Sequence, residues 1–131
     1  ADLPRLVAEG GHPEVFSHAK ESVPGTTTFD LADSPAWSFG GLKIEPRLTW
    51  GHAEAGITYV VAGLERPLAI VGDAVFASSM GGGKVSFADA LETNRKEIFT
   101  LSDETLICPG HGPLTTVGEE KAHNPFFPEF K

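Results

Sequence analysis

The chain has 131 residues, 40% hydrophobic and 21% charged, which suits one globular domain with a real core and excludes disorder. Eighteen acidic against ten basic residues leave a net charge of -8, which argues against nucleic acid as a partner, because affinity there comes mainly from neutralising phosphates. No apolar run nears the ~20 residues of a membrane helix, and the single cysteine, Cys108, excludes an internal disulfide framework and a Cys-rich zinc site and fits a reducing, cytoplasmic setting.

Leu3, Leu6 and Val7 recur at helical spacing, and Gly10-Gly11 is a helix stop. Glu14 to Ser17 and Thr26 to Phe29 read as short strands joined through a Val23-Pro24-Gly25 turn. Asp33-Ser34-Pro35 reads as a second turn, and Phe39-Gly40-Gly41-Leu42 as a hairpin tip. A strand follows from Leu42 to Thr49, and Pro46 within it predicts an edge or a bulge. Ile57 to Ala62 and Leu68 to Val71 form an apolar hairpin around Leu64 to Pro67. Ser86 to Phe99 is the clearest helix, with Ser86 as cap and Asp89 completing a capping box. Phe87, Leu91, Asn94 and Ile98 share one face, which only Asn94 interrupts, and Glu92 and Lys96 have the spacing of an i,i+4 pair. Thr105 to Cys108 is a last strand, cut off at Pro109-Gly110. From Glu119 the tail is polar and then aromatic, with Phe126, Phe127 and Phe130. Many short strands, one strong helix and another strand predict an α+β fold or a layered sandwich.

Three polar residues stand just beyond apolar strands, each directly after a glycine: His52 after Gly51, Asp73 after Gly72, and His111 after Gly110. Tight turns at strand ends are where a rigid sheet presents side chains into a cleft. Two neutral imidazoles and a carboxylate suit Zn²⁺, Fe²⁺ or Mn²⁺. Any one of these pairs alone is usually only a turn; the threefold repetition singles them out. His12 falls in a turn, His123 in the tail, and His18 ends a short strand from which it could face the same cleft. Gly81-Gly82-Gly83-Lys84 lacks the Walker spacing and reads as a flexible loop into the Ser86 helix. Ser78 and Ser79 have no base pattern around them, and Cys108 reads as a buried structural thiol.

Taken in order, Thr49-Trp50-Gly51-His52, Val71-Gly72-Asp73-Ala74-Val75-Phe76 and Cys108-Pro109-Gly110-His111-Gly112-Pro113 resemble the second half of the metallo-β-lactamase superfamily. Thr115 to Lys121 with Asn124-Pro125-Phe126 resembles its short glyoxalase II-like hydrolases. The resemblance implies a four-layer αβ/βα sandwich with two divalent metal ions, zinc first and iron or manganese as alternatives. It makes His52 a ligand of the first metal, His111 a ligand of the second, and Asp73 the bridging and catalytic carboxylate. A metal-held hydroxide would then attack an ester, thioester or amide carbonyl of a small-molecule substrate.

The family's His-x-His-x-Asp-His signature is absent, since Asp2 is followed by Leu3 and no two histidines stand two apart. The expectation is therefore that residues 1–131 are a single partial domain, the C-terminal portion of a longer fold. Ala1 would then fall just after the lost motif, leaving a chain inactive alone. Its partner would be the missing N-terminal half. Without it, an exposed inner sheet face predicts poor stability or a homo-oligomer. Trp50, Ala53, Glu54, Ala55 and Gly56 also depart from the usual motif around the first histidine, and Glu54 beside a ligand could alter substrate preference. The helical domain that binds glutathione thioester in true glyoxalase II is lacking too. Two other readings stay open: a non-catalytic partner-binding or degenerate half-fold module, and a di-iron redox protein of the same fold.

Overall fold

A computed structural model of the protein describes residues 3–31 and 36–131. The Asp33-Ser34-Pro35 turn lies outside the described residues. The elements in chain order are α1 (Leu3–Glu9), β1 (Phe16–His18), β2 (Thr27–Phe29), β3 (Trp37–Phe39), β4 (Leu42–Leu48), β5 (Ile57–Ala62), β6 (Leu68–Gly72), β7 (Val75–Phe76), β8 (Ser79–Met80), α2 (Phe87–Glu97), β9 (Leu106–Pro109), β10 (Thr115–Thr116) and α3 (Val117–His123). The fold is α+β. No helix among the described residues is long and apolar enough to cross a membrane.

A six-stranded mixed sheet in the order β10-β9-β6-β5-β4-β3 organises the chain. Local chemistry accounts for its hairpins. Gly40 and Gly41 both take positive φ, 52° and 89°, which matches the twist of a two-residue hairpin and pairs Phe39 with Leu42. Pro46 sits opposite Tyr59, beyond the last β4 residue that β3 covers, so β4 is locally an edge there and loses no ladder bond. Within this sheet β6 and β9 are the parallel neighbours, and α2 lies on the crossover between them.

Alternation gives the sheet two different faces. Ala69, Val71 and Ile107 point to one, at 0%, 2% and 0% exposure, and meet Ala90, Ile98, Phe99, Val117 and Phe127 in the core. On the same face Arg47 donates through Nη1 to the Glu97 carbonyl at the end of α2, at 3.0 Å. Phe127 packs against Phe99 at 4.3 Å with the rings tilted, while the Arg95 guanidinium covers its ring and pairs with Glu129. That pairing holds the Glu129 carboxyl below the usual carboxylate range. The opposite face carries Trp37, Ile44, Tyr59, Val61 and Ile70 around an apolar groove of about 280 Å³. The parallel β1–β2 pair closes only its β3 end, where Phe16 and Phe29 reach the Trp37 ring at 5.8 and 5.0 Å.

Three expectations about side chains need correction. Phe87 is 47% exposed, so the buried stripe of α2 runs through Ala90, Asn94 and Ile98 instead. Lys96 lies 3.6 Å from Glu97 rather than pairing with Glu92. Cys108 is half-buried, because it stands on the open sheet face beside Ile70. Partial burial still pushes its thiol pKa above the ordinary value.

Ile107→Ala should cost about 3 kcal/mol in urea unfolding, because Ile107 is fully enclosed. Ile70→Ala, with its residue 46% exposed on the open face, should cost less than about 1 kcal/mol. Burial favours the uncharged thiol of Cys108, so its alkylation by iodoacetamide should be slower at neutral pH than that of a free cysteine. The rate should climb only at higher pH than it does for the denatured chain.

Candidate functional site

His52, Asp73 and His111 are brought together at one end of the sheet. Strand direction explains why. Antiparallel pairing of β4 with β5 and of β5 with β6 makes β4 and β6 point the same way, and β9 is parallel to β6. The C-terminal ends of β4, β6 and β9 therefore share one edge. The residues just past those ends are the three named from the sequence. Gly110 N donates to the Gly72 carbonyl at 2.8 Å, which ties the two strand ends beside the carboxylate.

Asp73 is central. Its Oδ2 lies 3.4 Å from His52 Nε2, and its Oδ1 lies 3.6 Å from His111 Nε2. His52 and Asp73 are partly shielded, with side chains 21% and 32% exposed, while His111 is open at 78%. The Phe76 ring approaches the His111 ring edge-on at 6.1 Å. A small pocket of about 80 Å³ beside His52 and Asp73 is lined by Thr49, Ala53, Ile57 and Val71 among others.

His52 is oriented from behind. Its Nδ1 lies 2.7 Å from the Gly82 carbonyl, which can only accept, so Nδ1 carries the proton and donates it. The neutral ring then presents a bare Nε2 toward Asp73. Its turn is anchored to α2. The Gly51 carbonyl accepts from Val85 N and Ser86 N, both at 3.0 Å, and a Cβ on Gly51 would stand 2.4 Å from Ala90 N. The Gly51 φ of +124° also favours glycine. Ser86 caps α2 as the sequence predicts, accepting from Asp89 N at 3.3 Å.

The donors fit divalent metal ions. A lone pair on Nε2 facing a carboxylate oxygen is repulsive unless a cation or a proton lies between. Two donors bound to one ion at about 2.1 Å with near-tetrahedral angles sit about 3.4 Å apart, close to both contacts here. Each oxygen of Asp73 thus faces one imidazole at a spacing that suits a shared ion. Among the described residues, no group of three or more His, Cys, Asp or Glu side chains is arranged to hold an ion.

The remaining candidates separate cleanly. His18 is not a cleft residue: it is buried edge-on against Phe29 at 5.6 Å, and its Nδ1 accepts from Lys20 N at 3.2 Å. His123 is exposed and lies 3.8 Å from Glu119, and His12 is exposed beyond α1. Glu54 is exposed next to the His52 turn.

A probable metallo-hydrolase of Streptococcus pyogenes is 35% identical to the chain over 94 residues, covering 70% of this chain and 40% of that protein. The hydroxyacylglutathione hydrolase GloC of Haemophilus influenzae is 32% identical over 79 residues, 58% of this chain and 36% of that one. The crystal structure of the B3 metallo-β-lactamase BLEG-1 matches with a TM-score of 0.78 at 24% identity, covering 96% of this chain and 70% of that one. The chain belongs to the metallo-β-lactamase superfamily. No family model matches it. The chain spans less than half the length of the two hydrolase relatives.

Reading the sequence missed the residues that hold the site from behind. Asn94 stood out only as the polar break in an apolar helix face, yet it is 1% exposed and donates to the Ala74 carbonyl at 3.0 Å, one residue past Asp73. Glu120 and Asn124, at 3% and 0% exposure, fall in the segment that carries the glyoxalase II-like resemblance, but nothing local pointed to what they bond.

Gly110→Ala should displace the carboxylate, because a Cβ there would lie 2.6 Å from Asp73 Oδ1. The expected result is a folded variant whose crystal structure shows Asp73 turned away from His111. An unchanged 3.6 Å contact would contradict it.

Proposed function

We propose that the chain supplies part of the metal centre of a metal-dependent hydrolase acting on an ester, thioester or amide carbonyl of a small molecule. The observation that carries this reading is the pairing of each Asp73 oxygen with one imidazole Nε2, at 3.4 and 3.6 Å. His52 and Asp73 would hold one ion, Asp73 and His111 the second. When bound, two divalent ions would polarise the carbonyl and acidify a water enough to supply hydroxide near neutral pH. Zinc suits the imidazole and carboxylate donors, and iron or manganese would also be accepted by them. Asp73 faces both imidazoles through its two oxygens, and the Gly82 carbonyl holds His52 in the tautomer that leaves Nε2 free. Openness of His111 supports entry of substrate from its side, with Phe76 as an apolar wall.

Each half-site has two donors from this chain, whereas a catalytic zinc site commonly has three protein ligands. The remaining ligands would come from a further half of the same fold. The apolar sheet face around Ile70 and Phe39, 46% and 54% exposed, supports a covering layer there. The name of the Haemophilus relative, a hydroxyacylglutathione hydrolase, makes acylglutathiones the first substrates to try.

The 131 residues alone should bind Zn²⁺ weakly in a chelator competition. Tight binding of two ions would overturn the division of ligands. In a protein joining this chain to the complementary half, His52→Ala or Asp73→Asn should lower Zn²⁺ affinity by at least about a hundredfold, since outer-shell changes alone cost 10–100-fold. Hydrolysis should fall with it; unchanged metal content and turnover would sink the proposal.

A further inference from the structure

We infer that Glu120 and Asn124 are positioning residues that set the orientation and tautomer of His52 from behind the site. They act through the backbone of residues 78–82. The metal site of the proposed function is what this orientation would serve, but the geometry stands apart from it.

The connection from β6 to α2 carries Asp73 at its start and Gly82 near its end. Its own structure is slight, a two-residue hairpin of β7 and β8. Its turn includes Ser78 at φ +57°, a left-handed conformation unfavourable for a residue with a side chain. Helix α3 stabilises that turn. Glu120 Oε2 accepts from Ser78 N at 2.9 Å, and Asn124 Nδ2 donates to the Ser79 carbonyl at 2.9 Å. The pair is locked in turn. Asn124 Nδ2 donates to Glu120 Oε2 at 2.8 Å, Thr115 Oγ1 donates to Glu120 Oε1 at 2.7 Å, and Asn124 Oδ1 accepts from Phe126 N at 3.0 Å. A buried carboxylate is costly unless its acceptors are filled, and here three donors fill them.

What this clamp holds leads directly to the site. Met80, 7% exposed, ends β8, and Gly81 follows, wedged between Asp73 and His52. A Cβ on Gly81 would lie 1.9 Å from the Asp73 carbonyl and 3.0 Å from His52 Nδ1. Gly82 then accepts the Nδ1 proton. Three residues separate the Glu120 contact at Ser78 from the His52 contact at Gly82. A shift of the Ser78 turn therefore moves the acceptor that fixes the ring.

The test reads the protons on the His52 ring nitrogens directly in the 131-residue chain, by long-range ¹H–¹⁵N spectra. The wild-type chain should show His52 as the Nδ1–H tautomer. Glu120→Gln, which keeps shape but puts a donor where an acceptor is needed, and Asn124→Ala should each move His52 toward Nε2–H. Thr105→Val is the control, since Thr105 is 1% exposed and bonds only Ser102 at 3.0 Å through its hydroxyl. It should lower the melting temperature while leaving the His52 pattern intact. Should Glu120→Gln fail to fold, Asn124→Ser carries the same comparison. Retention of the Nδ1–H pattern in the folded clamp variants, or an equal change in Thr105→Val, overturns the inference. Adding Zn²⁺ to a protein that joins this chain to the complementary half separates the two readings: no perturbation of the His52 or His111 resonances there counts against the metal site and leaves the tautomer result standing.

Discussion

Three strands that end at the same edge are the constraint on which the site depends. The parallel pairing of β6 with β9 places Asp73 and His111 side by side, and two successive antiparallel pairings bring β4 into the same direction. Reversing any one of these strands would carry its polar residue to the opposite end of the sheet, some strand-length away. The crossover through α2 makes the parallel pair feasible, because parallel neighbours cannot be joined by a tight turn. That helix is in turn fixed by burying Ala90 and Ile98 under the sheet, so the hydrophobic core and the site share a single geometric cause.

The core also explains why the two sheet faces differ. One face is finished: Ala69, Val71 and Ile107 are covered by α2, by the start of α3 and by Phe127. The other is as apolar but only partly covered, by aromatic contacts from β1 and β2. A sheet whose two faces are both apolar belongs between two layers. This asymmetry agrees with a chain that spans less than half of its hydrolase relatives.

Behind the site, buried polar groups do what apolar packing cannot. Asn94, Glu120 and Asn124 each bond backbone groups of the segment that follows Asp73. Hydrogen bonds to specific carbonyls and amides fix a loop in direction as well as in place, whereas apolar contacts fix only proximity. Asn94 leaves its Oδ1 without a partner while its Nδ2 holds Ala74, a cost retained at the residue next to Asp73.

Much of this molecule is legible along the chain. The hairpins at Gly40-Gly41 and between β5 and β6, the Ser86 cap and the ends of the helices follow from local backbone preferences and periodicity, which short windows of residues determine by themselves. His52, Asp73 and His111 were identifiable because each follows a strand and a glycine, and turn chemistry is local. Their convergence was not readable that way, because it depends on strand order and direction, which arise from pairing between distant residues. For the same reason His18, which resembles the others in its strand-end setting, turned out to pack against Phe29, and Cys108 came to lie half-open. The clamp of Glu120 and Asn124 joins residues more than forty positions apart. The sequence alone determined which side chains could carry the chemistry; the tertiary structure decided which of them meet, because only long-range pairing sets where each strand ends.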